Sequence, residues 1–151
     1  MPDQADLMKK YFVAVSMFAI AVFSAGTPAW SADKAADAML IKRQIATIPK
    51  LQELAARAGG YPNSSIRVST AAHQITITAI IKAADTTAAE RENEAAQMIS
   101  AVENEIAGKE EFGLVMTIHV NYVGRQGKNA PIVQGIDFSK SPAGAFVLHK
   151  T

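Results

Sequence analysis

The sequence predicts an α+β fold: a two-layer sandwich with a mainly antiparallel sheet of about five strands, helices on one face, and the order helix, strand, strand, helix, strand, strand, strand. Three observations predict it. Apolar residues recur at three- and four-residue spacings in two segments, residues 33–58 and residues 88–106. They alternate with polar residues over residues 66–70, 74–82 and 112–123. Hairpin-length connections join most of the alternating segments, and such connections make antiparallel neighbours.

In the first helical segment Ala36, Met39, Leu40, Leu51, Leu54, Ala55 and Ala58 share a face. Pro49 interrupts it. Proline has no amide proton and biases Ile48 toward extended geometry, so a kink or a break near Thr47 or Ile48 is expected. Gly59 and Gly60 supply a left-handed C-terminal cap, and Tyr61, Pro62 and Asn63 form a loop. IRVST and QITITAIIK then make a hairpin, with Ile75, Ile77, Ala79 and Ile81 on one face of the second strand. In the second helix Thr87 and Glu90 form a capping box ahead of a stripe of Ala88, Ala95, Ile99, Val102 and Ile106. Gly108 is placed to end it.

FGLVMTIHVNYV reads as the longest strand. Leu114, Met116, Ile118, Val120 and Tyr122 lie on one face, and Val115, Thr117, His119, Asn121 and Val123 on the other. The loop GRQGKNAP follows, then shorter strands over residues 132–138 and 145–149, with turn residues Ser141, Pro142, Ala143 and Gly144 between them. Val115, Val123, Ile80 and Val147 fall on the parity opposite the core stripe. They predict either a second covering layer or a contact surface.

The chain has 151 residues, 49% hydrophobic and 19% charged, with a formal net charge of +1. That length suits a single domain. The composition excludes a strongly charged disordered chain, and the near-neutral charge argues against a nucleic-acid partner. With no cysteine there are no disulfides, thiolate metal ligands, cysteine nucleophiles or acylated cysteines.

The N-terminus reads as an address. Lys9 and Lys10 precede the uncharged apolar run YFVAVSMFAIAVFSAG, and TPAWSA supplies small residues for cleavage. Residues 1–31 are expected to be a secretory signal peptide. Cleavage after Ser31 leaves one α+β domain over residues 32–151, and cleavage after Ala29 is the alternative. Asp3 and Asp6 put acid where such a segment wants base, which marks Met8 as a candidate true start. The run is shorter than the roughly 20 residues that span a bilayer, so no retained transmembrane span is expected. The expected location is periplasmic or secreted.

The layout of residues 65–124, a strand hairpin, an Ala- and Glu-rich helix and a strand, loosely resembles periplasmic BON domains. These are small αββαβ modules associated with envelope maintenance and phospholipid surfaces. The glycine-flanked second strand common in that family is absent, since QITITAIIK has Ile and Ala there. The resemblance is one of layout, and membership does not follow from it.

Chemistry-bearing motifs are scarce. His73, His119 and His149 form no HExxH and no close pair. His119 and His149 share the less apolar parity of their strands, and Asp137 is the only obvious third ligand, so no metal and no cofactor are expected. Ser139, His149 and Asp137 exist, but no GxSxG elbow accompanies them. Glu103, Glu105, Glu110 and Glu111 read as a solvated helix end rather than a glycosidase pair. Arg125, Lys128 and Lys140 are the local basic features that could meet an anionic headgroup or an acidic partner. The expected role is therefore non-catalytic: an exported binding or envelope-interaction protein whose partner is an envelope protein or a lipid surface. A small exported hydrolase, or a carrier of a small apolar ligand, is the alternative.

Overall fold

The computed structural model describes residues 29–149, with the side chains of residues 29–33 left aside. The expected signal peptide therefore lies almost wholly outside the described residues. A unit boundary falls between Ala36 and Asp37, and the second unit, Asp37–Thr151, holds the whole sheet. The elements in chain order are α1 (Ala29–Gly59), β1 (Ile66–Ala71), β2 (Gln74–Ile80), α2 (Ala88–Ile106), β3 (Thr117–Val123), β4 (Ile132–Lys140) and β5 (Phe146–Leu148). Short 3-10 turns sit at Asn63–Ser65 and Glu110–Phe112. Among the described residues no helix is long and apolar enough to cross a membrane.

The helix α1 runs unbroken through Pro49. The expected break into two helices is absent, and Pro49 and Ile45 both lie on the exposed side. The Ile45 carbonyl that proline leaves unpaired can meet water there. The helix closes on a Schellman motif: the Tyr61 amide donates to the Ala56 carbonyl (2.8 Å) and the Gly60 amide to the Arg57 carbonyl (3.2 Å). Gly60 adopts φ 69°, which a side chain would strain.

The sheet runs in the order β1-β2-β3-β4-β5, and it is mixed rather than mainly antiparallel. The strands β1 and β2 pair antiparallel around a two-residue turn at Ala72 and His73. Successive antiparallel pairs also join β3 to β4 and β4 to β5. The central pair β2–β3 is parallel, from Gln74 beside Thr117 to Ile80 beside Val123. The cause is α2. A helix between two neighbouring strands carries the chain back to the end from which the first strand began, so the second strand runs alongside in the same direction.

The parity of the sheet decides its core. Ile66, Val68, Ile75, Ile77, Ala79, Ile118, Val120, Tyr122, Ile136, Phe138 and Phe146 lie in one buried cluster with Leu51 and Ala55 of α1 and Ala95, Met98, Ile99, Val102 and Ile106 of α2. The capping box of α2 is present as expected: Glu90 N–H donates to Thr87 Oγ1 (3.2 Å), and Thr87 N–H donates to the Glu90 carboxylate (2.7 Å). Ala88 is exposed, and Met98 takes a place in the stripe instead.

Leu114 and Met116 are exposed, contrary to the face assigned to them. The strand begins only at Thr117, and the turn at Glu110–Phe112 resets the alternation before it. Val115 is consequently buried. The remaining residues of the opposite parity diverge: Val123 is buried, Ile80 half-buried and Val147 exposed.

Candidate functional site

The sheet face opposite the buried cluster is built in rows, because register places residues of successive strands side by side. Ser69, Thr76, His119 and Asp137 form one row. Arg67, Thr78, Asn121 and Gly135 form the next. The third row is apolar: Ile80 beside Val123, and Val123 beside Ile132. A register shift between Tyr122 and Val123 brings Ile132 into that row and leaves Val133 as the extra residue of β4.

A pocket of about 410 Å³ opens over the last two rows. The loop between β3 and β4 forms its rim and carries Arg125, Gln126, Gly127 and Lys128. Gln126 Nε2 donates to the Ser64 carbonyl at 3.2 Å, which ties the rim to the segment before β1. Gly127 has φ 150°, a backbone conformation that a side chain would strain. Gly135 leaves room for Asn121, whose Oδ1 would stand 3.4 Å from a Cβ placed there.

The electrostatics of this pocket are one-sided. Arg67, Arg125 and Lys128 line it, and no Asp or Glu does. Among the described residues no carboxylate pairs with any of the three, although Arg43, Lys50, Arg57, Lys82 and Lys109 all have acidic partners. Two of the three sequence-derived interaction residues, Arg125 and Lys128, thus come together here. The third, Lys140, does not. Its ammonium lies 5.8 Å from the centre of the Phe146 ring, beside a separate hollow lined by Glu103, Glu110 and Phe112.

Arg67 had no motif to announce it. Its only sequence signal is a charged residue on the polar parity of a short strand, and the β1–β2–β3 register sets it in one row with Thr78 and Asn121. Ser64, Ser65 and Thr78 were equally silent, and they add hydroxyls to the lining.

The histidine candidates are partly assembled. His119 Nδ1 lies 2.5 Å from Asp137 Oδ1 across the β3–β4 pair. His149 joins them through its backbone, its N–H donating to the Asp137 carbonyl at 2.8 Å. His73 is elsewhere, with Nδ1 3.2 Å from the Leu114 carbonyl. Among the described residues no three His, Asp or Glu side chains stand together as a metal-binding group. Neither His119, Asp137 nor His149 lines the pocket.

A polar cluster at the core's edge has a different character. Tyr61 donates its hydroxyl to Glu94 Oε2 (2.6 Å), and Lys82 donates to Glu94 Oε1 (3.2 Å) and to the Gly59 carbonyl (2.5 Å). The Lys82 ammonium also sits 4.2 Å from the centre of the Tyr61 ring. Tyr122 donates to the Arg91 carbonyl at 2.9 Å. Burial, reinforced by the hydrogen bond to Glu94, pushes the Tyr61 hydroxyl far above its ordinary pKa. Burial followed by the Glu94 charge does the same to Tyr122. Both Glu94 oxygens are engaged, so this cluster clamps α2 to the end of α1 and to the exit from β2.

No family model, no curated protein and no solved structure matches this chain. The resemblance to the BON layout therefore gains no support from these comparisons.

Proposed function

We propose that this chain is an exported, non-catalytic binding protein, and that the pocket beneath the β3–β4 loop holds a small anionic ligand. One observation carries the reading. Three cationic residues, Arg67, Arg125 and Lys128, line a concave surface that contains no carboxylate, in a chain whose net charge is only +1. Like charges gathered without acidic partners repel one another, and an anion bound between them relieves that repulsion. The hydroxyls of Ser64, Ser65 and Thr78 and the amides of Asn121 and Gln126 supply neutral donors around the same space. The envelope role expected from the apolar N-terminal run is consistent with such a ligand.

Isothermal titration of the native protein with inorganic phosphate at low ionic strength tests the reading. Saturable binding that weakens as salt rises is expected. Replacing Arg125 and Lys128 together by alanine should reduce affinity at least about tenfold, equivalent to ~1.4 kcal/mol. Unchanged affinity in that double variant, or no saturable binding by the native protein, would refute it.

The hydrolase alternative keeps one supporting observation, the close His119–Asp137 pair. Its site would lie on the neighbouring row, away from the pocket.

A further inference from the structure

Resting on the anion-site reading above, we infer that the ligand is an amphiphile: an acid group held by Arg67, Arg125 and Lys128, with an apolar group lying on the Ile80–Val123–Ile132 row. The pocket is far larger than a bare oxyanion. Its volume of about 410 Å³ lies in the range of roughly 300–1,000 Å³ typical of organic-ligand sites. A phosphate or carboxylate alone would leave most of it to water.

An apolar strip, Ile80, Val123 and Ile132, also runs through the lining. Ile80, Val123 and Ile132 are adjacent by register across three strands, so they form one surface rather than scattered side chains. Ile132 is 58% exposed although its cross-strand neighbour Val123 is only 5% exposed. The register shift beside Val123 is what puts Ile132 on this face. A large aliphatic side chain held open to water on a pocket wall gains stabilisation when an apolar group covers it.

The two halves of the lining are also ordered in space. The apolar row runs beneath the loop that carries Arg125 and Lys128. The polar row of Arg67, Thr78 and Asn121 lies beside it, one step along the strands. A ligand with acid and apolar groups on adjoining atoms would meet both at once. The acid could belong to a free organic phosphate or carboxylate, or to a lipid headgroup, and the chemistry recognised is the same.

Titration calorimetry with inorganic phosphate, hexyl phosphate and hexanol separates the ideas. Hexyl phosphate is expected to bind at least about tenfold more tightly than inorganic phosphate, since the apolar row adds affinity with each methylene it covers. Ile132→Ser should erase that advantage, lowering affinity for hexyl phosphate far more than for inorganic phosphate. Because Ile132 is largely exposed, this variant should fold, and its urea midpoint checks that it does. The same variant also controls for binding of the hexyl chain to any other apolar segment. Lys128→Ala should weaken both phosphates together.

Equal affinity for the two phosphates would overturn the amphiphile inference while leaving the anion site standing. Binding of neither would overturn the anion site itself. Hexanol binding as tight as hexyl phosphate would overturn the role of the cations. Co-sedimentation with phosphatidylglycerol vesicles, but not phosphatidylcholine vesicles, lost in Ile132→Ser, would support a lipid headgroup as the source of the acid. Hexyl phosphate binding without co-sedimentation would support a free organic acid. Vesicle binding insensitive to both Ile132→Ser and Lys128→Ala would overturn the inference.

Discussion

Above pH 10 the fold should lose stability with each further step in pH, because Tyr61 and Tyr122 keep protons that their unfolded counterparts give up. Tyr61 and Tyr122 are 7% and 0% exposed, and both hydroxyls donate hydrogen bonds that an ionised phenolate could not. Their folded pKa values lie above the ordinary value of 10.0. The sign follows from linkage. Below the ordinary value both states are protonated and the stabilisation is fully present. As pH rises past it, the unfolded chain releases protons that the folded chain retains, so unfolding becomes easier. Each group then contributes a slope of ~1.4 kcal/mol per pH unit, and two together about 2.7 kcal/mol. That is a large share of the roughly 5–15 kcal/mol that holds a domain together.

Urea denaturation followed by circular dichroism, at several values between about pH 9 and about pH 11.5, measures this slope. Tyrosinate absorbance of the native protein gives an independent reading, since Tyr61 and Tyr122 should ionise only as the chain unfolds. Substituting both by Phe should flatten the slope, whatever lysines contribute to it. Ordinary ionisation of Tyr61 and Tyr122 in the folded protein, or an alkaline slope undiminished in the double variant, would refute the reasoning.

Two further outcomes are expected. Thr87→Ala removes the acceptor for the Glu90 amide and should lower stability by about 1 kcal/mol, while Val102→Asp, which buries an unpaired charge at a fully buried position, should cost beyond about 3 kcal/mol; equal and negligible shifts in denaturation midpoint would contradict the packing of α2. N-terminal sequencing of the native protein from a fractionated cell should begin near Ala32, and an intact apolar run in the membrane fraction would contradict export as a cleaved chain.

What could be read from sequence was local. Thr87 and Glu90 are three residues apart, so the capping box needs nothing from the rest of the molecule. Gly60 announces its cap for the same reason. The direction of β3 relative to β2 was not local. It depends on which strands become neighbours, and short connections elsewhere in the chain suggested antiparallel pairing throughout. Alternation alone puts Leu114 and Met116 on the core face, and the 3-10 turn at Glu110–Phe112 breaks that alternation before the strand begins at Thr117. At the pocket, Arg125 and Lys128 stood out as charges in a glycine-bearing loop. Arg67 joins them only through a register that spans three strands, and Ile132 joins the apolar row only through a one-residue shift. Neither leaves a trace in composition or spacing.

The parallel β2–β3 pair also divides the molecule's assembly in time. The β1–β2 hairpin and the β3–β4–β5 meander are each closed by short loops, so their contacts are near neighbours in the chain. Gln74 and Thr117 are roughly forty positions apart, and their pairing must wait for a much longer closure that α2 shortens as it forms. The central seam is therefore expected to close last, and early native-like amide protection across it would contradict that order. Thr78 and Ile80 stand on one side of this seam and Asn121 and Val123 on the other, all within the pocket. On that order the pocket would be completed only in the final folding step, and a ligand bound there would add its binding free energy to holding the two halves together.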